Sequence, residues 1–167
     1  QAETVDRASL DPDLCRIVCF GFGGPTTGDT VVVTTLPQDE REWLDYTWAY
    51  VAEGVPLLGY GVSFFDIGVL VRRSHLLGVE VPERIYDQGK YRHPALIDLA
   101  DRLTLNGMID QQKGRGLDYH CKRLGIDVED QHSGKDVAEL WKAGNVAAIQ
   151  AHCAADLRRI RLLAQRL

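Results

Sequence analysis

VPLLGYGVSFFDIGVL, at residues 55–70, predicts a short strand that turns directly into a helix. The segment 55–60 contains a proline but is otherwise a brief apolar run, and such a run is typical of a buried strand. Over residues 64–77 apolar side chains recur at helical spacing, and Gly78 ends the helix. This strand-to-helix unit places Asp66 near the beginning of the helix, and such units are the building blocks of folds that mix strands and helices.

Two further strands are predicted on the N-terminal side of this unit. Residues 15–22, CRIVCFGF, and residues 30–35, TVVVTT, are apolar and rich in β-branched side chains. The intervening glycines and proline indicate a hairpin connection. Pro37 then begins a predicted helix that runs to about residue 53 and is stopped by Gly54.

The C-terminal side is predicted to be mostly helical. A loop over residues 79–94 leads into a short helix, ALIDLADRL, at residues 95–103. Three more predicted helices follow and make the C-terminal third helical: Leu117–Leu124, Ser133–Ala143 with a Ser133-x-x-Asp136 cap, and Val146–Leu167. This order of elements predicts a single α/β domain over residues 1–167, with a mixed sheet.

Composition and charge narrow the function classes. The chain has 167 residues, of which 45% are hydrophobic and 26% charged, as in soluble globular proteins. No segment predicts a membrane span or a leader peptide. The net charge of −5 counts against autonomous, tight binding of a nucleic-acid duplex. It remains compatible with a nuclease, because acids gathered at a metal site are compensated by the cation.

The four cysteines do not have the spacing of a zinc site. Cys15 and Cys19 lie inside an apolar strand pattern, and free thiols are the prediction for them. Free thiols favour a reducing compartment, so the chain is expected in the cytoplasm.

Three short segments carry the residues that can do chemistry. They are QAET at residues 1–4, GYGVSFFD at residues 59–66 and HCAAD at residues 152–156. In this order they resemble the DEDD exonuclease superfamily, and most closely the predicted 3′–5′ exonucleases related to the proofreading domain of family B DNA polymerases. That family has Asp-x-Glu-Thr on a first strand and Gly-x-Asn-x-x-x-Phe-Asp at a strand-to-helix junction. An Asp in its last helix follows a Tyr four residues earlier or, in a sister subgroup, a His five residues earlier.

The resemblance covers nearly the whole chain. It implies a ribonuclease H-like fold, a central mixed β-sheet flanked by helices, and removal of nucleotides from the 3′ end of single-stranded DNA or RNA. It also implies that Glu3, Asp66 and Asp156 bind two ions of Mg²⁺ or Mn²⁺, and that His152 serves the attacking water. The shorter matching segments are Ile97-Asp98-Leu99, Gly116-Leu117, Leu124-Gly125-Ile126, Gly134-Lys135-Asp136-Val137 and Leu140-Trp141.

The residue types suit this chemistry. Hydrolysis of a phosphodiester with two metal ions requires several carboxylates on separate elements, and Mg²⁺ prefers oxygen ligands. Positions 1 and 3 of an extended strand point to the same face. His152 and Asp156 are four residues apart, so they share a helix face. An imidazole there can accept a proton near neutral pH.

Three positions depart from the family pattern. Gln1 stands at the position of the first Asp, His152 has the spacing of the Tyr subgroup, and Gly61 stands where the family has Asn. A Gln removes one negative charge, which leaves one metal ion or none as alternatives to two. Gln1 therefore favours a second hypothesis, a degenerate exonuclease fold that binds nucleic acid or acts as a scaffold. The first strand is also expected to begin before residue 1.

Each site residue has a plainer interpretation. Asp66 can be a helix N-terminal acid, Asp156 a partner in surface ion pairs, and His152 a core histidine. Asp98 is interpreted as a structural hydrogen-bond acceptor. The net acidity also predicts other domains or subunits that help to hold the substrate. Candidate phosphate contacts, which are equally interpreted as solvated charged faces, are Arg72, Arg73, Lys113, Arg115, Arg158, Arg159 and Arg161.

Overall fold

The computed structural model describes residues 11–24, 28, 30–34, 36–87, 95–109 and 115–167. The chain divides into two compact units, the first with residues 1–17 and 35–106 and the second with residues 18–34 and 107–167. Gln1, Glu3 and the first strand predicted there lie outside the described residues. The single domain over residues 1–167 stays a prediction.

Helices and short strands alternate along the chain, so the α/β class is confirmed. In chain order the elements are β1 (Cys19–Phe22), β2 (Thr30–Val33), α1 (Pro37–Ala52), β3 (Leu57–Gly59), α2 (Asp66–Leu77), α3 (Glu83–Tyr86), β4 (Leu96–Asp98), α4 (Leu99–Thr104), α5 (Leu117–Arg123), a 3₁₀ turn (Gly134–Asp136), α6 (Val137–Lys142) and α7 (Val146–Arg166). Among the helices that the structure describes, none has both the length and the apolar character that crossing a bilayer requires.

The first unit is built on a parallel strand pair and two packed helices. β3 and β4 pair in parallel, with Gly59 opposite Asp98. α1 contacts α2, and its buried residues include Leu44 and Trp48. The Trp48 indole donates a hydrogen bond of 2.8 Å to the Ser74 hydroxyl, which satisfies the one polar atom of a buried ring.

A buried ion pair also joins α1 to α2. The Glu40 carboxylate has no exposed surface and accepts two hydrogen bonds from Arg73, at 2.7 and 2.9 Å. The backbone N–H of Ile17 donates to the same carboxylate at 3.2 Å. Paired and hydrogen-bonded on several sides, this charge is compatible with the core, and loss of one partner would leave the other uncompensated.

The second unit is an antiparallel hairpin covered by the longest helix. β1 pairs with β2, and Cys19 lies opposite Val33. α7 packs on both strands and buries Ile149, Ala155 and Leu163. A Cβ placed on Gly21 would lie only 2.6 Å from the Cys153 sulfur. The missing side chain of Gly21 therefore allows the close approach of α7 to the hairpin.

Tertiary pairing changed several predicted elements. The predicted helix at residues 95–103 begins as strand β4, because residues 96–98 pair with β3, and helix starts only at Leu99. The predicted loop at residues 79–94 contains the short helix α3. The described strands form two two-stranded sheets, one antiparallel and one parallel, so the single mixed sheet stays a prediction.

Candidate active site

Asp66 begins helix α2 directly after a tight turn that follows strand β3. Asp98 stabilises this turn, because its carboxylate accepts hydrogen bonds from the backbone N–H groups of Gly61 at 2.8 Å and Ser63 at 2.9 Å. Asp98 also accepts the N–H of Ala100 at 2.9 Å and so caps α4. These bonds confirm the structural interpretation of Asp98, and they fix the backbone that presents Asp66.

Gly61 has a backbone reason for its identity. Its φ of +70° lies in the left-handed region, which glycine enters without a steric penalty. Asn, the residue that the resemblance places here, is among the side chains most tolerant of this region. The exchange of Asn for Gly therefore preserves the turn beneath Asp66.

The carboxyl of Asp66 lacks a cationic partner within the described part of the chain. Desolvation by the surrounding protein, with the nearby Asp98 carboxylate adding repulsion, raises the pKa of Asp66 to about 6. The residue as a whole is exposed, so solvent screens part of this effect. A cation bound beside Asp66 would relieve the repulsion, which is the electrostatic setting of a metal ligand.

A second cluster forms around His152 and Asp156 on helix α7. The Nδ1 atom of His152 lies 2.8 Å from Asp130 Oδ2, and its Nε2 atom lies 3.8 Å from Asp156 Oδ2. The side chain of Asp130 is 4% exposed, that of His152 12% and that of Asp156 41%. One edge of the imidazole is thus held inside the protein, and the other faces a carboxylate open to solvent.

Arg159 pairs with both carboxylates of this cluster. Its Nη1 atom donates to Asp130 Oδ2 and to Asp156 Oδ1, each at 2.8 Å, and Nη2 donates to the Val128 carbonyl at 3.1 Å. Burial alone would raise the pKa of Asp130, but hydrogen bonds from His152, the His132 N–H and Arg159 together hold it below its usual range. The second cluster therefore carries its own counterion.

The structure brings together only some of the predicted site residues. His152 and Asp156 lie in the second unit as a pair, and Asp66 lies in the first unit beside Asp98. Glu3 lies outside the described residues. The ion-pair interpretation of Asp156 is confirmed by its contact with Arg159. The role of His152, the metal ligation by Asp66 and Asp156, and the whole assignment of Glu3 stay predictions.

Sequence reasoning missed Asp130. It lies in an irregular segment between α5 and the 3₁₀ turn, where no periodicity marks it, and it meets His152 from 22 residues away. The part played by Arg159 was open to inference, because it follows Asp156 by three residues and shares its helix face.

The second cluster offers donor atoms for a metal ion, but not all of them suit one equally. One ligand atom each from Asp130, His152 and Asp156 lies within 4.8 Å of the others. Asp130 already accepts hydrogen bonds from Arg159, His152 and the His132 N–H, and Mg²⁺ takes oxygen rather than imidazole nitrogen. The Asp156 Oδ2 atom, which Arg159 does not contact in a hydrogen bond, is the donor of this cluster that fits Mg²⁺ or Mn²⁺ best.

Several candidate phosphate contacts have structural partners. Arg72 pairs with Asp13 at 2.7 Å, and Arg73 and Arg159 are held by the acids described above. Arg115 lies over the Tyr119 ring, 5.2 Å from its centroid, and Lys113 lies outside the described residues. Arg158 and Arg161 remain candidates, since they line an open groove beside residues 127–132.

Comparison with known proteins gave one family. The model for "Predicted 3'-5' exonuclease related to the exonuclease domain of PolB" matches residues 10–163. No curated protein and no solved structure shows significant similarity to the chain. The matched range includes Asp66, His152 and Asp156 and begins after Gln1 and Glu3.

Proposed function

Since the chain belongs to the family of predicted 3′–5′ exonucleases related to the exonuclease domain of PolB, we propose that it hydrolyses phosphodiester bonds at the 3′ end of single-stranded DNA or RNA. The observation that carries the proposal is the pairing of His152 with Asp156 on one face of α7, inside the family match. A proton acceptor beside a carboxylate that fits a metal ion supplies two of the groups that such a hydrolysis uses.

The proposed fold is ribonuclease H-like, with a central mixed sheet flanked by helices. The two strand pairs support it in a limited way, because one is antiparallel and the other parallel, and a mixed sheet contains both kinds. The strand predicted around residues 1–4 belongs to this proposal.

Glu3, Asp66 and Asp156 are the proposed ligands for two ions of Mg²⁺ or Mn²⁺. The donor chemistry of Asp66 and Asp156 fits, since both offer carboxylate oxygens that no described hydrogen bond from a cation fully occupies. When bound, the ions supply charge neutralisation at the phosphate and lower the pKa of the attacking water.

The protein side chains supply placement and proton transfer. Asp98 fixes the turn that presents Asp66, and Arg159 orients Asp156 through its Oδ1 atom. The Nε2 atom of His152 accepts the proton of the attacking water. Arg158 and Arg161 provide contacts to the phosphate backbone along the groove that they line.

The net charge of −5 limits how tightly this chain holds a polyanion by itself. Other domains or subunits of a nucleic-acid-processing complex are therefore proposed partners that help to hold the strand.

A second candidate function is a degenerate exonuclease fold that binds strands or acts as a scaffold without cutting. Two observations favour it. Gln1 stands at the position of the first Asp, and Arg159 already neutralises one oxygen of Asp156.

Degradation of 3′-labelled single-stranded DNA and RNA with Mn²⁺ or with EDTA separates the two functions. The exonuclease predicts metal-dependent release of mononucleotides, abolished by Asp156→Ala and retained by Glu139→Ala, an exposed acid in the same unit. Strand binding without any cleavage by the unsubstituted protein would support the binding module instead.

A further inference from the structure

Both oxygens of the Asp130 carboxylate accept hydrogen bonds. Oδ2 lies 2.8 Å from both His152 Nδ1 and Arg159 Nη1, and Oδ1 accepts the N–H of His132 at 3.1 Å. The guanidinium keeps this buried carboxyl ionised, because a protonated acid would lose its strongest interaction. An ionised carboxylate can only accept hydrogen bonds.

This environment determines which nitrogen of His152 carries the proton. A neutral imidazole has one N–H and one lone pair, and the tautomer follows the hydrogen bond that one nitrogen makes. Facing an obligatory acceptor, Nδ1 must be the donor. The lone pair is therefore on Nε2, the nitrogen that faces Asp156.

The Nε2 edge of His152 faces Asp156 without bonding to it directly. At 3.8 Å, Nε2 and Asp156 Oδ2 are too far apart for a direct hydrogen bond. One water molecule can bridge two polar atoms at such a separation. That position lies between a lone pair able to accept a proton and an oxygen able to bind a cation.

We propose that Asp130 is a positioning residue for the exonuclease reaction, which fixes His152 in the Nδ1–H tautomer so that Nε2 accepts the proton of the attacking water. Arg159 completes the arrangement by donating to the same Asp130 oxygen that accepts from His152. The role in catalysis rests on the proposed function, whereas the tautomer does not.

Asp130→Ala is the informative substitution because it removes the acceptor of Nδ1 and lets His152 carry its proton on Nε2. Asp130→Asn is a milder change. With its oxygen toward Arg159 and His152 the amide keeps both bonds of 2.8 Å, and only its NH₂ group meets the His132 N–H.

The test combines ¹⁵N NMR of the histidine side chains with steady-state kinetics. Spectra are recorded without metal at pH about 8.5, where an ordinary imidazole is neutral. His152→Gln identifies the His152 signals among the 5 histidines. Glu139→Ala is the matched control, since it makes the same chemical change at an exposed acid in the same unit.

The expected result is an Nδ1–H tautomer for His152 in the unsubstituted protein and in Glu139→Ala. Asp130→Ala should shift the population toward Nε2–H and lower kcat about 10–100-fold with little change in KM, the size of effect seen for partners that orient a site residue. A predominant Nε2–H tautomer in the unsubstituted protein overturns the proposal without any variant. Unchanged kcat in a folded Asp130→Ala protein overturns the catalytic role.

Failure of the exonuclease function gives a different signature. In that case the unsubstituted protein releases no nucleotides, while the NMR spectra still decide the tautomer of His152.

Discussion

The two acidic clusters of the molecule differ in whether a cationic side chain lies among their carboxylates. In the first unit, desolvation raises the pKa of Asp66 to about 6, and the Asp98 carboxylate adds repulsion. In the second unit, Arg159 donates to both Asp130 and Asp156, and hydrogen bonds from His152, the His132 N–H and Arg159 hold the pKa of Asp130 below its usual range despite burial. The first cluster gains most from an added cation, whereas the second contains one already.

This difference assigns different chemistry to the two clusters. A carboxylate without a cationic partner gains more from a bound cation than one that already pairs with a guanidinium, because the ion removes a destabilising interaction when it binds. A cluster that contains its own guanidinium is suited to holding a side chain such as His152 in one orientation. The following substitutions disturb one unit or the other.

Arg159→Ala should have the largest effect, because it removes the counterion of the second cluster. Asp130 would be left buried with only His152 and one backbone N–H, and loss of one partner from a buried ion pair costs about 3–5 kcal/mol. Urea denaturation measures the free energy of unfolding. Arg158→Ala, at the exposed neighbouring position, should change it by no more than about 0.5 kcal/mol. Equal losses for both variants would show that Arg159 is no more than a surface charge.

Gly21→Ala should have an intermediate effect on stability, because it disturbs the packing of α7 on the hairpin. Its Cβ would lie 2.6 Å from the Cys153 sulfur and 3.1 Å from Leu157. Overpacking of this kind costs about 1–3 kcal/mol. Adding Cys153→Ala removes the closest contact and should recover part of the loss, as measured by thermal unfolding of both variants. If the single variant is as stable as the parent, the helix does not approach the hairpin this closely.

Asp66→Asn should stabilise the metal-free protein slightly. Because the folded-state pKa of about 6 lies above the ordinary value of 3.8, the folded state binds more protons than the unfolded state between these values. The contribution of Asp66 to the free energy of unfolding of the parent is therefore greatest at low pH and falls as the pH rises from about 4 to about 6. Asn carries no charge, so Asp66→Asn should match the parent in stability below pH about 4 and exceed it most above pH about 6.

The expected gain for Asp66→Asn is at most about 1 kcal/mol, since solvent screens this exposed carboxyl. Urea denaturation at pH 4 and pH 7 in EDTA, compared with Asp45→Asn on exposed α1 surface, measures it. A variant less stable than the parent at pH 7 would show that Asp66 makes a favourable interaction instead.

Sequence patterns located the reactive residues better than their partners. The strand-to-helix unit around Asp66 and the shared helix face of His152 and Asp156 follow from local periodicity and are present in the structure. Asp130 was not predictable, because its contact with His152 depends on how an irregular segment folds back on α7.

Strand β4 illustrates the same limit. Residues 95–103 favour a helix locally, yet residues 96–98 pair with β3 and become a strand. The hydrogen bonds and burial gained from pairing with a neighbouring strand outweigh the local preference for helix. Which strand will lie next to these residues cannot be read from a single sequence.

Binding of Mn²⁺, followed by electron paramagnetic resonance of the free ion, tests most directly whether this is a metal-dependent hydrolase. We predict that the unsubstituted chain binds Mn²⁺ and that Asp66→Asn and Asp156→Asn each weaken binding by at least about 10-fold, whereas Glu139→Gln, at an exposed acid, does not. Absence of Mn²⁺ binding by the unsubstituted chain, or undiminished binding by both Asp66→Asn and Asp156→Asn, would contradict it.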